Sequence, residues 1–80
     1  MEVTIKLHGS LRRHRPDDGG GHGAFALQVA QKATVEEALS DLGVARDVVA
    51  AVAVNGEQAG LQTVLEDGDT VHIFPPAAGG

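Results

Sequence analysis

A short helix with a single apolar stripe cannot fold alone, and this chain places one such helix between segments that alternate like strands. Thr34-Val35-Glu36-Glu37 has the form of a capping box, in which Thr34 caps the first turn and Glu37 reaches back to the Thr34 amide. Val35, Ala38, Leu39 and Leu42 then fall at i, i+3, i+4 and i+7, which puts them on one face. Glu36, Glu37 and Asp41 turn to water, and Gly43 suits the left-handed position that ends a helix. The stripe needs a cover, and only strands are available to provide it.

Residues 2–8 alternate, with Val3, Ile5 and Leu7 on one side and Glu2, Thr4, Lys6 and His8 on the other, the period of a half-buried strand. From Gly9 the pattern decays into a basic patch, Arg12, Arg13, His14 and Arg15, followed by a Gly/Asp-rich loop from Pro16 to Gly23. Residues 24–30 alternate again through Phe25, Leu27 and Val29, so the first two strands should form a long-looped hairpin. After the helix, residues 48–54 are apolar with few breaks and read as a more buried strand ending in the Asn55-Gly56 turn. Residues 58–61 suit a short edge strand, and Asp67-Gly68-Asp69 another turn. Val71, Ile73 and Phe74 belong to a last strand, which Pro75-Pro76 must end because neither proline donates to a ladder. The expected fold is α+β, a sheet with one main helix across one face.

With 80 residues the chain is expected to form one small domain. Such a domain buries only roughly 60–65% of its unfolded surface, too little for a deep substrate cavity. Two Phe and no Trp or Tyr leave the core to Val, Leu, Ile and Ala. The absence of cysteine excludes disulfides, thiolate metal sites and any sulfur carried on a side-chain thiol. A formal net charge of −5 argues against a nucleic-acid groove and favours a partner with a basic face. No apolar run suits a signal peptide or a membrane span, so a cytoplasmic protein is expected.

The side chains offer little catalysis. Ser40 sits on the polar side of the helix and nothing marks Ser10 as activated, so both read as surface serines. His8, His14, His22 and His72 lack paired metal-ligand spacing, and no metal site is expected from them. The glycines at 19–21 lack a Gly-Lys-Ser/Thr ending and do not enter a helix, which makes them a hairpin connection. The basic patch has no stacking aromatics and is followed by Asp17-Asp18, which fits a solvated turn.

The end of the chain offers more. Residues 75–80 form a tail that begins with two rigid prolines directly after a strand and thins to Ala77, Ala78, Gly79 and Gly80. Extended, it reaches roughly 20 Å at about 3.3 Å per residue. Such an arm can thread a narrow channel and deliver its terminal carboxylate into the active site of another protein, and glycine permits the close approach this requires.

With these motifs the chain resembles the MoaD/ThiS family of ubiquitin-like sulfur carriers. The likeness rests on Thr34 to Leu39, on Val52-Ala53-Val54-Asn55-Gly56, on Leu65 to Val71, and on Ile73-Phe74-Pro75-Pro76-Ala77-Ala78-Gly79-Gly80. The paired prolines look more like the small subunit of molybdopterin synthase than the thiamine carrier, while residues 8–24 match poorly. The resemblance implies a β-grasp domain over residues 1–74 with a mixed sheet of four to five strands, and a flexible Gly-Gly tail over 75–80. It implies that Gly80 is adenylated by an E1-like enzyme using ATP-Mg and converted to a thiocarboxylate, with Gly79, Ala78 and Ala77 entering the partner's active site. The chain itself would hold no cofactor and no catalytic group. Its partners would be the E1-like enzyme, a sulfur-donor enzyme and the large subunit of molybdopterin synthase. The sheet face opposite the helix would dock the activating enzyme, with Phe74 either contributing to that face or serving as an ordinary core residue.

Other readings stay open from sequence. The sulfur could go to thiamine or a tungsten cofactor, or the chain could be a modifier joined through Gly80 to target lysines. An inert interaction domain with an incidental Gly-Gly ending is the remaining one.

Overall fold

The computed structural model describes residues 1–16 and 23–76. Among these described residues the strands are β1 (Glu2–Leu7), β2 (Phe25–Gln28), β3 (Ala51–Val54), β4 (Glu57–Ala59) and β5 (Thr70–Phe74), with one α-helix, α1 (Val35–Asp41). They form one five-stranded sheet in the order β2-β1-β5-β3-β4. β1 and β5 run parallel in its centre, with Ile5 beside Val71 and Leu7 beside Ile73. All other pairs are antiparallel. This mixed sheet with one crossing helix is the β-grasp expected from the sequence.

The helix forms as its residues dictate. The Glu37 amide donates to Thr34 Oγ1 at 3.2 Å and the Thr34 amide to Glu37 Oε1 at 2.9 Å, so both arms of the capping box are closed. The Val35 and Glu36 amides donate to the carbonyls of Thr63 and Leu61, which leaves none of the first three helical donors without a partner. At the other end Gly43 takes φ +72°, its amide donates to Ser40 and that of Val44 to Leu39. This is a Schellman closure, with Val44 buried beside Leu39 in the core.

Val35, Ala38 and Leu39 face a layer made by Val3, Ile5, Leu7, Val52, Val71 and Ile73 from the sheet, completed by Leu65 and Val29. One face of the sheet is thus buried and the other open. At the start of β5, Asn55 Oδ1 accepts from the Thr70 amide at 2.9 Å while its Nδ2 donates to Asp69 Oδ1 at 2.8 Å. These bonds tie the predicted Asn55-Gly56 turn to the predicted Asp67–Asp69 turn.

The structure departs from expectation in two places. The basic segment after β1 is not a plain loop: Gly9–His14 is a 3-10 helix, and Leu11 in its middle is 3% exposed. One apolar residue among basic ones gives no periodic signal, yet a single buried leucine suffices to pin a short turn to the core. The strand expected over 48–54 begins only at Ala51, because Arg46–Val48 forms a 3-10 turn that leaves Val48 40% exposed. That turn carries the chain from the end of α1 back to the sheet, and pairing starts where the Ala50 amide donates to Phe74 O at 2.9 Å. β3 is also less buried than expected. Its alternate residues Ala51 and Ala53 lie on the open face, and only Val52 is fully in the core.

Candidate functional site: the root of the C-terminal tail

Ala77, Ala78, Gly79 and Gly80 lie outside the described residues, as do Asp17, Asp18, the glycines 19–21 and His22. The site is therefore built from the point at which the tail leaves the domain. β5 lies between β1 and β3, so its last residues are held from both sides. On one side the His8 amide donates to Ile73 O at 3.0 Å, and on the other the Ala50 amide donates to Phe74 O at 2.9 Å. Pro75 follows at once, half-buried, and Pro76 is exposed. The prolines end the ladder as predicted, and the tail starts from the central strand of the sheet, paired on both sides.

The register places Lys6, His72, Ala53 and Gln58 in one row across the open face, with Phe74 and Ala51 in the next. The alanines keep this part of the face low. Phe74 thus belongs to the open face and not to the core. Its ring stacks on His8 with centroids 4.3 Å apart and planes 12° apart. His8 in turn lies 5.3 Å from His72, nearly parallel to it. Together these form a half-buried aromatic plate at the foot of the tail.

His8 Nε2 faces His72 Nδ1 at 3.0 Å. One nitrogen of this contact must carry a hydrogen and the other must be bare, so the two rings cannot both be doubly protonated without losing it. The His8 imidazole is pushed below its ordinary pKa, first by burial, then by His72, Lys6 and Arg12. At neutral pH the plate therefore carries a neutral His8, flanked by the cations Lys6 and Arg12. The opposite end of β5 is acidic, with Glu66, Asp67 and Asp69 in the turn that leads into it.

The basic patch does not act as one surface. Arg12 Nε donates to Gly9 O at 3.2 Å, whereas Arg15 lies over the Phe25 ring at 5.2 Å and donates to Gly23 O. Arg13 is exposed between them. Ser10 and Ser40 are both exposed, on the 3-10 helix and on α1. Among the described residues no three His, Asp or Glu side chains converge on a metal-sized site, and no helix is long and apolar enough to cross a membrane.

Sequence reasoning missed the His8–His72–Phe74 plate and the contact of Gly9 with Pro75 described below. His8, His72 and Phe74 could be seen to occupy outward positions of their strands. Their meeting depends on the parallel pairing of the first and last strands, which no local pattern encodes.

Several solved structures share this architecture. SAMP1 from Haloferax volcanii is 26% identical, with a TM-score of 0.71 and full coverage of both chains. The HVO 2177 protein of the same organism is 28% identical, with a TM-score of 0.74, over 100% of this chain and 87% of that one. Subunit 1 of the molybdopterin-converting factor from Helicobacter pylori, solved in complex with subunit 2, is 23% identical over the full length of both chains with a TM-score of 0.60, a likeness of fold. Among curated proteins no sequence matches. Residues 18–80 match the ThiS family, which takes in every element from β2 to β5 and the tail, and the chain belongs to this family of ubiquitin-like sulfur carriers.

Proposed function

We propose that the chain is a sulfur-carrier protein that works through its Gly80 carboxylate, most directly as the small subunit of a molybdopterin synthase. The observation that carries this reading is the tail root. The central strand, held on both sides, ends in Pro75-Pro76 beside an open face, and the thin residues Ala77 to Gly80 follow.

A carboxylate is a poor electrophile, and transfer of AMP from ATP-Mg by an E1-like enzyme, with release of pyrophosphate, makes its carbonyl carbon reactive. Sulfide supplied by a donor enzyme then attacks that carbon and expels AMP, leaving a thiocarboxylate. The chain contributes neither acid, base nor metal to these steps. It supplies a carboxylate at the end of an arm that reaches roughly 17 Å beyond Pro75, at about 3.3 Å per residue. Ala78 and Gly79 add almost no width, so they fit a narrow catalytic channel. The open face with Phe74, His72 and Ala53 is the surface we assign to the activating enzyme. The Helicobacter pylori complex supports a synthase large subunit as a second partner. Each of these steps belongs in the cytoplasm.

A modifier role is favoured by a different observation, the 26% identity to the small archaeal modifier protein 1 of Haloferax volcanii. Both roles share the adenylate and differ in what resolves it, sulfide or a lysine amine. The intact mass of the protein recovered from its native cells separates them. Replacement of one oxygen by sulfur at Gly80 establishes the carrier, whereas Gly80-to-lysine linkages with no sulfur on the free form establish the modifier. A chain that stays unmodified with its E1-like enzyme, ATP-Mg and a sulfide source refutes both. The sulfur acceptor is then read by adding molybdopterin precursor, with the thiamine and tungsten-cofactor routes as the alternatives.

A further inference from the structure

The joint between β1 and the 3-10 helix carries a contact that the fold does not require. Gly9 adopts φ +57°, and a Cβ built on it would stand 2.9 Å from Pro75 Cγ and 3.6 Å from Pro75 Cδ. The other described glycines at positive φ, Gly43, Gly56 and Gly68, have open space where a side chain would go. Gly9 therefore excludes a side chain twice over, through its backbone and through the ring lying against it.

We propose that Gly9 is a positioning residue for the tail: the hollow left by its missing side chain seats the Pro75 ring and sets the direction in which the chain leaves the sheet. The proposal deepens the function proposed above and rests on it for the catalytic readout only. Three restraints meet at this point. The Ile73 and Phe74 carbonyls are tied to His8 and Ala50, which fixes the peptide leading into Pro75. The proline ring locks its own φ, and Pro76 after it removes another donor and another free torsion. The buried Leu11 anchors the 3-10 helix that begins at Gly9, so the hollow cannot drift away from the ring.

A small change here is magnified along the arm. A tilt of about 10° at Pro75 displaces the end of an extended arm of roughly 17 Å by about 3 Å. Misplacement of a reacting group by about 1 Å can cost on the order of a hundredfold in rate. Contacts with the walls of the partner's channel would recover part of that loss, so the expected effect is smaller.

The test compares Gly9→Ala with Gly68→Ala, which pays for an alanine at positive φ (+88° in the native chain) but touches nothing. Adenylation is followed as pyrophosphate release with the E1-like enzyme of the source organism and ATP-Mg. Gly9→Ala should lower kcat by about tenfold with KM for the chain within about twofold, since the docking face is intact, and Gly68→Ala should leave both near wild type. In a Pro75→Ala background, which removes the ring the new Cβ would strike, Gly9→Ala should add no further loss. A partner-free readout runs beside this. The wild-type NMR spectrum should show Gly9 Hα close to the Pro75 ring protons, and Gly9→Ala should abolish that contact and shift the Pro75 and Pro76 resonances while Gly68→Ala does not.

An equal loss of kcat in Gly68→Ala, or an undiminished effect of Gly9→Ala beside Pro75→Ala, overturns the proposal, as does absence of the wild-type contact. A wild-type chain that is not adenylated at all defeats the carrier reading instead, and the NMR comparison alone then decides for or against the seat.

Discussion

Replacing Leu11 by alanine should cost this protein about 3 kcal/mol, although the residue lies in the most polar and basic stretch of the chain. Leu11 is 3% exposed and belongs to the core that α1 and the sheet share. Truncation to alanine removes three carbons, worth about 2.4 kcal/mol at roughly 0.8 kcal/mol per buried methylene. The cavity left by incomplete collapse adds to this, and measured Leu→Ala costs run from about 2 to 5 kcal/mol. A domain of this size has a total stability of about 4–12 kcal/mol, so the loss is a large fraction of it. The melting temperature should fall by about 12–24 °C. Urea denaturation followed by far-UV circular dichroism is the suitable assay, because the chain has no Trp or Tyr to report by fluorescence. Arg13→Ala, two residues away in the same segment and exposed, should stay within about 0.5 kcal/mol of the parent. A Leu11→Ala variant as stable as Arg13→Ala, with an unchanged denaturant slope, would show that the side chain is not buried and that the 3-10 helix is not anchored. A modest loss with a shallower slope would instead mean that the segment leaves the core while the rest stays folded.

Two further effects can be read from named contacts. Thr34→Ala removes the hydroxyl half of the capping box and should cost about 1 kcal/mol by chemical denaturation, with Thr34→Ser recovering most of it; full stability in Thr34→Ala would refute the role of the cap. His8 should titrate below its ordinary value of about 6.5, because burial and then His72, Lys6 and Arg12 disfavour its charged form. The unfolded chain takes up this proton first, so the stabilising contribution is fully present above about pH 6.5 and is lost as pH falls through the lowered folded value. Denaturation stability should therefore fall less steeply with acid in His8→Gln than in the parent, and an NMR midpoint for His8 above about 6.5 would contradict the sign.

What was legible in the sequence was what neighbours in the chain decide. The α1 cap, its stripe and its glycine stop are all local, and every one of them is where the pattern placed it. The alternation of β1 and the Asn55-Gly56 turn belong to the same class. What could not be read was pairing across distance. The side-by-side placement of the first and last strands creates the His8–His72–Phe74 plate and brings Gly9 to Pro75, yet their residues are more than sixty positions apart. Val48 misled for a related reason. Its run of apolar neighbours looks like a strand, but the path from α1 to the sheet needed a turn there, and Ala51 and Ala53 face the open side where no burial is demanded. The reading of Ala77 to Gly80 as a thin arm falls outside the described residues, whereas the point at which the chain leaves the sheet depends on contacts made by β5.

The central position of β5 bears on how the protein is born. A ribosome delivers residues in order, at about 5–20 per second. Until Thr70–Phe74 emerge, only the β1–β2 and β3–β4 hairpins can pair, and isolated hairpins are marginal in water. A nascent chain interrupted before Thr70 thus has no continuous sheet and remains open to proteolysis. Closure of the sheet therefore waits for its central strand, and the open face that carries His72 and Phe74 comes into being only in that late step.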